Sequence, residues 1–339
     1  MAIKAYLYDA GGRDREVPID DSILSGLDER SLLWIDCDDR TDEALARVAG
    51  LIGASAEIFE LRDGARPTLD NYGGHFHFRV NAAPQHREDL PEGEQPSLEL
   101  KPDRPNEALS TPSIDFVVCK QILLTVHDGP VACLTRFRLQ DKADTMIGLL
   151  SPQALAASLM DWHLGAFFDE VSRIESSVDK LDERVLREIS HNGLLGRMVA
   201  MRRRVSKLRA LLVSQRDVFY GLSRPDFALV TESGTAEFYQ SLSRRFERAL
   251  DEVERARDLV TGSFELFTSR SSQLTNDLVK ILTFVTAIIG FCAAVAGLLG
   301  MNFQLAIFQT GFRGFLAVTS ALALTALLAV FHARRRSWI

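Results

Sequence analysis

Residues 281–303 read ILTFVTAIIGFCAAVAGLLGMNF, and no residue from Ile281 to Phe312 is an Asp, Glu, Lys, Arg or His. A helix needs about 20 mainly apolar residues to cross a bilayer, so this run supplies one span and a short loop. Arg313 interrupts it, and the uncharged stretch Gly314–Phe331 supplies a second span near the short end of the range. Two adjacent runs this clean read as a transmembrane pair and not as buried helices of a water-soluble core. Between them stands Gly300-Met301-Asn302, a polar tripeptide where the chain has just crossed and is about to return. Arg334, Arg335 and Arg336 follow the second span directly, which favours the cytoplasmic side for the C-terminus. Two spans then keep the N-terminus on that side, turn the 300–302 loop outward and set Trp338 at the interface as an anchor. The opening MAIKAYLYDAGGRDR has no apolar core of signal-peptide length. The expectation is a multi-pass protein of the inner (cell) membrane with both termini cytoplasmic.

The averages hide this asymmetry: over 339 residues the chain is 25% charged with a formal net charge of −7. Its cysteines, Cys37, Cys119, Cys133 and Cys292, form no CxxC pair and fit a reducing compartment. Residues 1–150 read as an α/β domain. Stretches 3–9, 31–37, 75–81 and 114–119 have the β-branched and aromatic content of strands, and 121–129 follows closely enough to pair with 114–119 as a hairpin. Residues 41–53 read as a helix, with Thr41 as N-cap, acids in the first turn and Gly53 past the end. The proline-rich, charged stretch 84–112 reads as a loop.

Residues 151–278 change character to long helices near 152–190, 194–222 and 233–278. The last places Phe246, Leu250, Val253, Val260, Phe264, Phe267, Leu274, Leu278 and Ile281 on a heptad, with Arg257 and Ser271 in its two vacant positions. Such a repeat marks a seam against other helices, and it runs into the first span without Gly or Pro at the junction. One helix of stalk and span together is expected, with the remaining segment 279–339 holding both spans and the basic tail.

Two helices cannot enclose a water-filled path, so any pore needs several copies around an axis. The first span suits an inner ring. Thr283, Thr286, Ala287, Gly290, Ala293, Ala294 and Gly297 are small or hydroxylic and recur at helical spacing, which lets helices approach closely. The second span is uniformly apolar and suits the lipid. No phosphate loop, GxSxG, HExxH or kinase-type motif is present, so an enzyme or a membrane-anchored sensor is the weaker reading. The basic run MRRRVSKLR (201–209) sits in an acidic chain, and no nucleic-acid partner is expected.

The run GMN after the first of two C-terminal spans, behind an α/β domain and a long helix, resembles the CorA family of divalent-cation transporters. In sequence the resemblance is clearest over 200–339. It implies a funnel-shaped homopentamer in the lipid bilayer, no cofactor, and Mg²⁺ as cargo, with Zn²⁺, Co²⁺ or Ni²⁺ as alternatives. It implies that Gly300, Met301 and Asn302 form the outer mouth, where neutral oxygens hold a hydrated ion through its water shell. Counted by register from Asn302, the family's inner polar ring falls on Asn276, apolar constrictions on Val279 and Leu282, and a stalk acid on Glu265. Thr283, Thr286, Gly290, Ala293 and Gly297 complete the lining.

This chain departs from the family at three points. Leu299 replaces the aromatic residue before GMN, Phe291 stands where a proline is common, and the loop FQLAIFQTGFR (303–313) has no carboxylate. An acidic loop concentrates cations through its field; the zinc-transporting ZntB branch, which is proton-coupled, tends to lack that signature too. His75 and His77 share a strand face, and imidazole pairs bind zinc, but no third ligand is identifiable from sequence. Acidic groups such as Asp36, Asp38 and Asp39, or Asp251, Glu252 and Glu254, are candidates for regulatory Mg²⁺ between subunits.

Overall fold

The computed structural model describes residues 3–9, 14–19, 23, 26–27, 31–53, 55–59, 66–86, 111–140, 147–187, 193–300 and 311–335. The chain divides into two compact units, one of residues 1–181 and 191–262, the other of residues 182–190 and 263–339.

The first unit is built on one sheet. Strands β1 (Ile3–Asp9), β2 (Arg15–Val17), β3 (Ser31–Cys37), β4 (Leu69–Asn71), β5 (Phe76–Asn81), β6 (Ser113–Val118) and β7 (Ile122–His127) lie in the order β2-β1-β3-β7-β6-β5-β4. Every pairing is antiparallel except β3 with β7. The strands expected at 3–9 and 31–37 stand as read, and 114–119 with 121–129 forms the β6–β7 hairpin. Leu32, Trp34, Ile35 and Cys37 of β3 are all fully buried, so both faces of this interior strand are covered. That explains a continuous apolar run where a half-exposed strand would alternate.

Helix α1 (Asp42–Ile52) covers one face. Thr41 caps it by accepting from the Ala44 N–H, and Gly53 closes it in the left-handed region at φ 66°. Its Ala44, Leu45, Val48 and Ala49 pack on Leu33, Ile35, Val117 and Leu124. Helices α2 (Ala132–Gln140), α3 (Pro152–Arg187), α4 (Leu194–Ser214), α5 (Arg216–Leu222) and α6 (Ala228–Thr231) follow. Trp34 meets Phe137 of α2 edge-on at 5.8 Å, and Phe76 meets Phe227 edge-on at 5.2 Å.

The stretch read as one helix over 194–222 is broken at Gln215. Its side-chain amide donates to the carbonyls of Asn81 at 3.0 Å and Leu211 at 2.9 Å, and its Oε1 lies 2.9 Å from His163 Nε2. Burial pushes His163 down to about 4, so it stands neutral and its Nε2–H donates to Gln215.

Helix α7 runs unbroken from Ala236 to Leu299, close to 100 Å at 1.5 Å per residue. Its buried positions are Tyr239, Leu242, Phe246, Ala249, Val253, Ala256, Val260 and Ser263, a strict alternation of three and four. The expected heptad shares Phe246, Val253 and Val260 with it. The companion row is different: the small Ala249, Ala256 and Ser263 are buried, whereas Arg257 is exposed and Leu250 and Phe264 are only half-covered. Small side chains let the backbone of α7 approach its neighbours closely. Arg257 then pairs outward with Glu254, which Arg209 of α4 also contacts at 3.0 Å.

This register makes a prediction. Ala256→Leu overpacks a fully buried site and should destabilise the chain by about 1–3 kcal/mol. Arg257→Leu, one residue on, should stay within about 0.5 kcal/mol. Thermal melts of the two variants in detergent distinguish the buried row from the row that hydropathy alone suggests.

Candidate cation path

The second unit contains the apolar part of α7 and the whole of α8 (Gly311–Arg335). Both helices are long and apolar enough to span a bilayer, with mean hydropathy of 2.4 and 2.2 in their best windows, none of it buried within the chain. On α7, partial cover falls on Phe284, Ile288, Cys292, Val295 and Leu299. On α8 it falls on Gly314, Val318, Leu322, Ala326 and Ala329, ending at the buried Ala333. Each helix therefore has one covered stripe at helical spacing, the pattern of two helices packed along their length.

The residues suggested for a pore lie on the other side of α7. Asn276, Val279, Thr283, Thr286, Gly290, Ala293, Gly297 and Gly300 recur at alternating steps of three and four, and all are exposed. At about 100° per residue this stripe is centred roughly 180° from the covered one. Glu265 continues it toward the N-terminus, through Ser269 and Ser272. Leu282 flanks it. From Glu265 to Gly300 the stripe holds no Lys, Arg or aromatic residue, and Val279 is its one large apolar side chain.

Two further details separate this face from the lipid-facing surface. Off the stripe, in the second span, threonine hydroxyls donate back to their own helix: Thr319 to Phe315 O at 2.9 Å and Thr325 to Ala321 O at 2.8 Å. That satisfies a hydroxyl in an apolar medium. Among the described residues neither Thr283 nor Thr286 is bonded this way, which leaves both hydroxyls for water or a hydrated ion. A Cβ built on Gly290 or Gly297 would meet nothing within 4 Å, so packing inside one chain does not require glycine at either site.

Gly300 sits at the end of α7, its N–H shared between the carbonyls of Ala296 at 2.9 Å and Gly297 at 3.2 Å. Met301 and Asn302 lie outside the described residues, as do Arg336 and Trp338.

Four of the six acidic residues considered for regulatory metal, Asp36, Asp39, Glu252 and Glu254, have partners within the chain. Asp36 is buried, accepts from Thr125 Oγ1 at 2.5 Å and pairs with His127 Nε2 at 3.0 Å and Arg138 at 3.4 Å. Asp39 accepts from the Thr41 N–H at 3.0 Å beside the start of α1. Glu252 pairs with Arg255, and Glu254 with Arg209 and Arg257. Sequence alone grouped Asp36 with Asp38 and Asp39 as a candidate for Mg²⁺ between subunits. The basic residues that neutralise it come from β7 and α2, about a hundred residues away.

Against the pull of burial, His127 and Arg138 lower Asp36 below its usual 3.8. Burial likewise opposes charge on His127, yet Asp36 and the Gly129 carbonyl raise it above 6.5. The sign follows by linkage. The share of His127 is full below its unfolded value and lost as pH rises through the raised folded one. The share of Asp36 is present above its unfolded value and lost as pH falls through the lowered one. His127→Gln should therefore reduce the melting temperature clearly near pH 6 and much less at about pH 9.

Comparison with known proteins agrees with this architecture. A family model described as CorA-like Mg²⁺ transporter protein matches residues 29–335. The cobalt/magnesium transport protein CorA of Methanocaldococcus jannaschii is 22% identical over 318 residues, covering 91% of this chain and 92% of that one. Its complete structure superposes with a TM-score of 0.71 at 20% identity, over the whole of both chains. The full-length CmaX protein follows at 0.68 and 20% identity, covering 98% of this chain and 97% of that one. At these identities the structural matches speak to the fold: an N-terminal α/β unit, a long helix and two C-terminal apolar helices.

Proposed function

The chain belongs to the CorA-like Mg²⁺ transporter family, whose members are membrane transporters of divalent cations and not enzymes, and from that premise we propose that it carries hydrated Mg²⁺ through a pore formed by five copies. The observation that carries this reading is the exposed polar and small-residue stripe of α7, set opposite its partly covered stripe, within an uncharged span. Closed rotational symmetry turns each such stripe toward a common axis.

In this reading Gly300, Met301 and Asn302 make the outer mouth. Gly300 lets the chain turn, and Asn302 offers an amide oxygen to the water shell of the ion. Mg²⁺ sheds water reluctantly, so a ring of neutral acceptors binds it by outer-sphere hydrogen bonds and releases it readily. Thr283 and Thr286 supply hydroxyls along the path, while Gly290, Ala293 and Gly297 leave it wide. Val279, flanked by Leu282, narrows the inner end to an apolar ring that closes by dewetting. Asn276 receives the ion below it, and Glu265 adds negative charge to the stalk. Arg334, Arg335 and Arg336 support an inner (cell) membrane orientation with both termini cytoplasmic.

A second reading, proton-coupled Zn²⁺ transport of the ZntB kind, draws on one observation: residues 303–312 contain no carboxylate. Uptake into proteoliposomes separates the two. Mg²⁺ entry indifferent to a proton gradient is expected, and Zn²⁺ entry driven by an inward proton gradient would favour the second. Asn302→Ala should slow entry by about tenfold or more, since each amide lost removes hydrogen bonds worth about 0.5–1.5 kcal/mol. Unchanged uptake by that variant would contradict the outer-mouth role, and no uptake of either ion would overturn both readings.

A further inference from the structure

His75 and His77 have no part in the transport path, and the structure gives them a third companion. They lie on the edge hairpin of the sheet, where Asp70 of β4 stands directly opposite His77 of β5. The Tyr72 N–H closes the turn by donating to the His75 carbonyl at 3.0 Å. Because side chains alternate along a strand and cross-strand partners share a face, Asp70, His75 and His77 all project to one side. Phe76 turns to the other side, against Phe227.

His77 is 2% exposed. Its Nε2 lies 2.6 Å from Asp115 Oδ1, and the same carboxylate is held by Arg79 Nε at 2.7 Å and by Arg40. A carboxylate anchored in this way holds the Nε2 proton and turns Nδ1 toward Asp70, where a metal ion would stand in place of any proton on Nδ1. Metal-bound imidazoles have this arrangement, with a carboxylate behind the ring fixing its tautomer. Nδ1 of His77 is buried without a hydrogen-bond partner, and so is Nε2 of His75. Asp70 Oδ2 faces Nδ1 of His77 at 3.7 Å. That is too long for a hydrogen bond. It is near the roughly 3.3 Å that separates two ligand atoms on a tetrahedral ion with bonds of about 2.0–2.1 Å.

We propose that Asp70, His75 and His77 bind one divalent transition-metal ion of the Zn²⁺ or Co²⁺ class, with water completing a tetrahedron, at a site separate from the transport path. The donor set decides the class. Two imidazoles and one carboxylate suit Zn²⁺, Co²⁺ and Ni²⁺, whereas Mg²⁺ requires a near-octahedral oxygen shell. The site would thus tell apart ions that outer-sphere contacts to a water shell treat alike. It closes on the ion instead of standing preformed: among the described residues no three such side chains already converge. Asp70 has a side chain 53% exposed and is free to move, while the half-buried His75 stacks on the exposed Tyr72 ring at 5.0 Å and would shift with it. Behind the site the charges of Arg40 and Arg79 oppose a cation, and the carboxylates of Asp115 and Asp70 offset them.

Co²⁺ titration of the purified full-length chain tests this directly. Tetrahedral Co²⁺ absorbs visible light intensely, while hydrated octahedral Co²⁺ in a transport path absorbs weakly. The expected result is an intense band that saturates at one ion per chain, is displaced by Zn²⁺ and persists in Mg²⁺. His75→Gln and Asp70→Asn, both outside the buried core, should each weaken binding by at least about 10–100-fold without changing the melting temperature of the metal-free chain. Asn302→Ala should leave the band unchanged, so this result stands apart from the outcome of the uptake assay. No intense band, a band that survives both hairpin substitutions, or displacement by equimolar Mg²⁺ would overturn the proposal.

Discussion

Inside a bilayer no water is available to the backbone, so each N–H and C=O of a spanning segment must find its partner within the segment. The first span, from Ile281, obeys this by continuing α7 to Leu299 and ending it at Gly300, whose N–H is shared between two carbonyls of the last turn. With the backbone satisfied, the side chains are left to divide the helix surface. One stripe is partly covered, and the opposite one is exposed and, Val279 apart, polar or small. Among the described residues Thr319 and Thr325 of the second span bond their own helix, and Thr283 and Thr286 on the stripe do not. The proposed transport reading is a consequence of that division.

The same economy of small residues governs the N-terminal part of α7. Ala249, Ala256 and Ser263 are buried where Leu250, Arg257 and Phe264 were the more hydrophobic or more conspicuous choices. Hydropathy ranks residues by how much apolar surface they carry. A close helix contact selects instead for how little room they take. The vacant Arg257 in the expected heptad was the sign that its second row was one residue out of place.

Local signals were legible elsewhere because their causes are local. Thr41 and Gly53 bracket α1 as read, and the strand bounds at 3–9 and 31–37 coincide with the structure. What escaped notice depends on distant partners. Helix α2 has its first N–H capped by Gln85, 47 residues earlier in the chain, at 2.8 Å. The break at Gln215 rests on His163 and Asn81. The short β2 and β4 are polar segments that become strands by lying along β1 and β5. On the first span Thr283, Thr286, Gly290, Ala293 and Gly297 stood out in the sequence by size and spacing. That their face, shared with Asn276 and Val279, is the exposed one, opposite the partly covered Ile288 and Val295, needed the structure.

The central claim is that this one face of α7 lines water in the assembled protein. Cysteines placed singly from Thr283 to Gly297, in a chain whose native cysteines are replaced, can be challenged in vesicles with a charged, water-soluble thiol reagent. Rapid modification at 283, 286, 290, 293 and 297, with slow modification at 284, 288 and 295, is the predicted result. Modification that is fastest at 284, 288 and 295, or uniform around the helix, would contradict the account.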